Sequence, residues 1–157
     1  MRRYTSENGV KELTDNDQST SLVKVKGFSM LPALQVNDRL VIKTSNNYQN
    51  GDILVFEYAD KQIIVHRLLK IYNNTYLCKG DNSFYVEQVF LNQIKGKVIL
   101  IKRGDKIFTP PVVTDEFIAL SFKVNKEFRR NGYNIDSTMK GNVYKEYINV
   151  RGSLCTM

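Results

Sequence analysis

The stretch Leu22-Val23-Lys24-Val25-Lys26-Gly27-Phe28-Ser29-Met30-Leu31-Pro32 decides how the chain is read. Its first five residues alternate apolar and charged, the period of a strand with one buried face. Gly27 permits backbone angles closed to other residues and Pro32 fixes φ on the far side, so the strand ends in a constrained turn. Ser29 sits inside that turn beside Met30. A serine at a strand end can face a cleft with its own backbone N–H aimed at the same spot, as acyl transfer requires. The competing reading of Gly27–Pro32 is a turn without chemistry, because six-residue patterns recur by chance.

Downstream of this turn, short β-branched and aromatic runs alternate with polar breaks at close intervals, which predicts an all-β region. The expected strands are Leu22–Lys26, Arg39–Thr44, Asp52–Tyr58, Gln62–Tyr72, Thr75–Lys79, Lys97–Lys102 and Lys106–Phe108. Asn37-Asp38, Asn50-Gly51, Asn73-Asn74, Gly80-Asp81-Asn82 and Gly104-Asp105 separate them, and Asn and Gly accept positive φ at little cost. Glu87 to Gln93 reads equally as a strand or a short turn. Thr109-Pro110-Pro111 stops regular pairing, and the period then changes. A helix capped by Asp115 is predicted to run to about Arg130, ended by Asn131-Gly132. A second is predicted from about Ser137 to Val150, with Met139, Val143, Tyr147 and Ile148 inward and Gly141 as its weak point.

The fold class that follows is mainly β: a small, partly open, barrel-like sheet of hairpins with one or two C-terminal α-helices. Three segments are expected. Residues 1–20 form a polar arm, a loose segment or one short helical turn; residues 21–108 form the β-domain; residues 109–157 form a helical extension packed on it.

The chain has 157 residues, 42% hydrophobic and 25% charged, enough to bury a core and unlike a disordered composition. Its net charge of +7 admits an acidic peptide, nucleic acid or anionic lipid as partner. Cys78 and Cys155 are read as free thiols in a reducing compartment. No window reaches the roughly 18 apolar residues of a membrane span, and no signal-peptide core opens the chain, so a cytoplasmic protein is expected. The basic residues Lys123, Lys126, Arg129 and Arg130 leave a membrane-peripheral contact open beside simple packing of the helices on the β-domain. No metal or cofactor is called for.

The single histidine, His66, lies in Ile63-Ile64-Val65-His66-Arg67-Leu68. A lone strand histidine is by default a partly buried residue with one satisfied hydrogen bond. Alternation, however, puts His66 on the face of Ile64 and Leu68, pointing inward, and a serine needs such a base because its free hydroxyl is a poor nucleophile. A carboxylate that orients the imidazole would improve the pair. Asp81 and Glu87 are the nearest candidates, against the plain reading of Asp81 as a surface-turn residue.

Gly27–Pro32, Gly51-Asp52-Ile53-Leu54-Val55-Phe56, Val65-His66-Arg67, Lys79-Gly80-Asp81-Asn82 and Gly96-Lys97-Val98, in this order, resemble the boxes of type I signal peptidases. Histidine in place of the lysine base makes the chain look like the endoplasmic-reticulum and spore-former subtype. The wider clan also contains self-cleaving repressors, which likewise use lysine. The resemblance implies Ser29 as nucleophile, His66 as general base and Asp81 or Glu87 as the acid. It implies structural roles for Asp38 and Asp52. Three departures stand out: Gly27 replaces the serine whose hydroxyl usually helps bind the oxyanion, the usual transmembrane anchor is missing, and the region after Pro111 has no counterpart in the subtype.

Two functions are therefore carried forward. One is a serine endopeptidase that cuts an extended precursor, leader or signal-type peptide after small residues. The other is a catalytically weak or inactive module on the same fold that binds a peptide or nucleic acid. No helix-turn-helix precedes Ser29, so no specific nucleic-acid partner is expected. The oligomeric state is not legible.

Overall fold

A computed structural model describes residues 20–155 and, as backbone only, Lys11–Glu12; the Cys155 side chain is outside the described set. The remainder of the expected N-terminal arm also lies outside the described residues. At Lys11–Glu12 the arm is a short strand, β1, antiparallel to β2 (Thr20–Lys24).

The other strands are β3 (Arg39–Lys43), β4 (Ile53–Glu57), β5 (Ile63–Tyr72), β6 (Thr75–Lys79), β7 (Glu87–Phe90), β8 (Ile94–Arg103) and β9 (Lys106–Phe108). All pairings are antiparallel, and the order is β1-β2-β3-β8-β4-β5-β6-β7, with β9 on β8. The fold is a half-barrel followed by helices, as the alternating pattern predicts.

A plain series of hairpins is not what forms, because β8 returns to the middle of the sheet and separates β3 from β4. Its first half pairs with β4 (Phe56 opposite Ile94, Leu54 opposite Lys97) and its second with β3 (Val41 opposite Leu100, Arg39 opposite Lys102). Gly96 makes this double duty feasible. A Cβ there would lie 2.8 Å from the Lys43 carbonyl oxygen, closer than packed atoms approach. The segment left undecided, Glu87 to Gln93, is β7 followed by a single 3-10 turn at Leu91–Gln93.

Strand β4 explains how one sheet fills two cores. Ile53 and Val55 join Val23, Val25, Met30, Leu34, Leu40 and Ile101 on one face, while Leu54 and Phe56 join Leu68, Cys78 and Val89 on the other. All four β4 residues are essentially inaccessible, so a continuous apolar run is what its position demands. Cys78 is a free, buried thiol, and burial pushes its pKa up, which keeps it unreactive.

The helices are α1 (Asp115–Arg130), α2 (Ile135–Lys140) and α3 (Asn142–Arg151). The cap of α1 is Thr114 rather than Asp115: its hydroxyl accepts the Phe117 N–H at 3.1 Å, leaving Asp115 and Glu116 in the first turn where the helix dipole favours acids. The second predicted helix is two, divided at Gly141, whose extended backbone (ψ 159°) ends one and starts the next. Met139 consequently turns outward, and Thr138 is buried in its stead.

Phe117, Leu120, Val124, Tyr144 and Tyr147 form a third cluster with Ala33 from the turn after Ser29. The helical layer is thereby seated behind the Ser29 turn. The side-chain carbonyl of Asn125 in α1 also accepts the Val86 N–H at 2.9 Å, holding the approach to β7. Lys123, Lys126, Arg129 and Arg130 are exposed on the other side of α1. Among the described residues no helix is long and apolar enough to cross a membrane.

Candidate active site

Three elements converge at one end of the half-barrel. The turn after β2 carries Ser29, the middle of β5 carries His66, and the first residue of β7 carries Glu87. Ser29 Oγ lies 3.0 Å from His66 Nε2, and His66 Nδ1 lies 2.8 Å from Glu87 Oε1. The contact with a carboxylate, which can only accept, assigns the ring proton to Nδ1 and leaves Nε2 as the acceptor for the serine hydroxyl. The imidazole is buried and meets the Phe56 ring edge-on, with centroids 6.3 Å apart.

The Gly80-Asp81-Asn82 box reaches the same place but acts on the backbone of the serine turn. The Asn82 N–H donates to the Ser29 carbonyl at 2.7 Å, and the Asn82 side-chain amide donates to the Phe28 carbonyl at 3.0 Å. The Asp81 N–H points at Met30 Sδ, 3.3 Å away, and the Leu31–Pro32 peptide is cis. Gly80 packs directly against both Ser29 and His66. A Cβ there would stand 2.6 Å from the Ser29 carbonyl oxygen and 2.9 Å from His66 Nε2, so no other residue fits without separating the pair.

Of the two acidic candidates, only Glu87 meets the imidazole. Asp81 faces away from it: its carboxylate accepts from Arg67 Nε at 3.0 Å and from an Arg67 terminal nitrogen at 2.7 Å, and both side chains are almost fully buried. The turn reading of Asp81 as a surface residue fails with it. Asp38 is likewise structural, accepting from Gln35 N–H and from Arg103 at 2.8 and 2.9 Å, while Asn37 takes the positive φ of 76° that the turn requires.

Sequence reasoning passed over Lys79 and Arg67. Lys79 Nζ is completely enclosed; it donates to the Gly80 carbonyl at 3.0 Å and sits 2.8 Å from the Tyr147 hydroxyl, over whose ring it also lies. Tyr147 in turn donates to the Asp81 carbonyl at 2.7 Å. Burial lowers the Lys79 pKa from the usual 10.5 to about 7, outweighing the opposing pull of Asp81. The unfolded chain holds this proton up to pH 10.5 whereas the folded chain releases it near 7, so the contribution of Lys79 to stability rises with pH between those values and is smallest below them. Against a Lys79→Met variant, the wild type should gain stability from pH 7 to pH 9 with a slope approaching about 1.4 kcal/mol per pH unit. Denaturant unfolding of both proteins at several pH values checks this, and parallel stability curves would contradict it.

Beside Ser29 runs a cleft of about 250 Å³, walled by Val23–Gly27 on one side and Ile63–His66 on the other. Strand β1 pairs with β2 only at Ser21 and Leu22, and β6 joins β5 only from Arg67 onward. Among the described residues, both walls therefore present strand edges without a neighbouring strand, which an extended peptide can pair with.

The half-barrel thus presents a serine, a histidine and a carboxylate in hydrogen-bonded series beside an open strand edge. Residues 3–99 match the family model described as Peptidase S24-like, and the chain belongs to that family. No curated protein matches it. The match supports the S24-like peptidase family broadly and does not extend to the signal-peptidase subtype.

Proposed function

We propose that the chain is a serine endopeptidase with Ser29 as nucleophile, His66 as general base and Glu87 as the carboxylate that orients it. The observation that carries this reading is the unbroken series Ser29 Oγ to His66 Nε2 to Glu87 Oε1, at 3.0 and 2.8 Å. Ser29 Oγ attacks the peptide carbonyl carbon as its proton passes to Nε2. The C–N bond then breaks as His66 returns that proton to the leaving amine. Water attacks the acyl-enzyme, His66 takes the water proton, and the acid product leaves as Ser29 regains its own. The Ser29 N–H supplies an oxyanion donor. The substrate is an extended segment of a peptide or precursor laid between the two strand edges, with the small residues before the cut that the signal-peptidase resemblance implies.

A fluorophosphonate is the test, since it forms a covalent adduct only with an activated serine. Mass spectrometry should place a single adduct on the peptide containing Ser29. A protein that takes up no label, yet binds an extended peptide stoichiometrically, would instead be a binding module. Gly27 is what favours that second reading, because it leaves the oxyanion position without a side-chain hydroxyl, and one such donor is worth on the order of 100-fold in rate. A Cβ built at Gly27 meets nothing within 4 Å. Gly27→Ser is accordingly expected to fold normally and to raise the labelling rate roughly tenfold or more. An unchanged rate would mean that the hole is completed by another donor.

A further inference from the structure

The last residue of α3 reaches the serine turn indirectly, through Asn82. Arg151 donates to Asn82 Oδ1 at 2.7 Å. A guanidinium can only donate, so it fixes which end of the Asn82 amide is oxygen and turns the Nδ2 group toward the Phe28 carbonyl, 3.0 Å away. Phe28 and Ser29 are joined by a trans peptide, in which C=O and N–H point in opposite directions. Anchoring the Phe28 oxygen therefore sets the direction of the Ser29 N–H.

We propose that Arg151 is a positioning residue for the oxyanion site: through Asn82 it orients the Phe28–Ser29 peptide so that the Ser29 N–H faces the developing oxyanion. This rests on the peptidase reading of Ser29. Two neighbouring contacts brace the same loop from α3, Tyr147 hydroxyl to the Asp81 carbonyl and Lys79 Nζ to the Tyr147 hydroxyl, at 2.7 and 2.8 Å. The Phe28 oxygen also receives the Leu31 N–H, at the longer distance of 3.2 Å. Losing the Asn82 donor thus loosens the peptide and does not free it. With Gly27 offering no hydroxyl, the direction of this one N–H matters more than it would in a hole with a side-chain donor.

The test compares wild type with Arg151→Met, Arg151→Lys and Asn82→Asp, following fluorophosphonate labelling of Ser29 over a range of reagent concentrations. Arg151→Met should lower the limiting labelling rate about tenfold with little change in the half-saturating concentration, and Arg151→Lys should restore part of the loss. Asn82→Asp separates orientation from simple tethering. It keeps, and adds charge to, the link to Arg151 but removes the donor to the Phe28 carbonyl, so it should label as slowly as Arg151→Met while melting like wild type. Wild-type labelling rates in Arg151→Met or Asn82→Asp would overturn the proposal.

Amide hydrogen exchange across Phe28–Leu31 and Gly80–Ser83 provides a readout independent of activity. Faster exchange in both variants is expected, and unchanged protection overturns the clamp. If wild type takes no label, the peptidase reading falls, and exchange alone decides whether Arg151 holds the turn.

Discussion

Replacing His66 by alanine should lower the rate of fluorophosphonate labelling at Ser29 by on the order of 10^4-fold while leaving the fold in place. The side chain leaves a site that already opens on a cleft, so the stability cost is modest, whereas Ser29 loses the only base within reach among the described residues. Glu87→Gln should cost roughly 10^2- to 10^4-fold, for a different reason. The glutamine amide can donate to Nδ1, which then becomes the acceptor and moves the ring proton to Nε2, where it blocks uptake of the serine proton. With the Glu87 side chain at 17% exposure and His66 at 9%, the exchange is only weakly buffered by solvent. Labelling of His66→Ala at the wild-type rate would remove the histidine from the mechanism and return it to the ordinary buried residue that a lone strand histidine most often is.

The elements that carried alternation were legible because each faces one or two cores. Thr75–Lys79 has the predicted limits, and Asp52–Tyr58 contracts by one residue at each end to Ile53–Glu57. What periodicity cannot express is which strands become neighbours. The return of β8 between β3 and β4 depends on Gly96 tolerating a backbone at 2.8 Å, a tertiary circumstance with no local signature. The split between α2 and α3 was partly visible in Gly141, but the outward turn of Met139 follows from where the break falls.

At the site, local context singles out Ser29 and His66, which lie 3.0 Å apart in the structure, but offers no choice between Asp81 and Glu87. Asp81 lies inside the Gly80-Asp81-Asn82 box and Glu87 a few residues beyond it, and only the pairing of Arg67 opposite Lys79 puts a buried guanidinium where it takes Asp81. The signal that could have found this is the dipeptide His66-Arg67 itself. Adjacent strand residues point to opposite faces, so an arginine beside an inward histidine is buried on the other face of the sheet and must find an acid there.

That division of labour predicts opposite phenotypes for the two carboxylates. Asp81→Ala should destabilise the protein by about 3–5 kcal/mol, because it strands the charge of Arg67 without a partner in a site with no exposure. For a chain of this length the expected fall in melting temperature is roughly 10 °C or more. Arg67 also donates to the Gly51 carbonyl at 3.0 Å, so the loss reaches the turn before β4. The double variant Arg67→Met/Asp81→Leu should recover most of the stability, since it removes both charges together and fills the space with apolar groups. Glu87→Gln, which removes no buried charge partner of an arginine, should shift the melting temperature little and abolish most labelling. Measured well below its own transition, Asp81→Ala should label far faster than Glu87→Gln. An Asp81→Ala protein that melts like wild type but fails to label would reverse the assignment and make Asp81 the acid that serves the histidine.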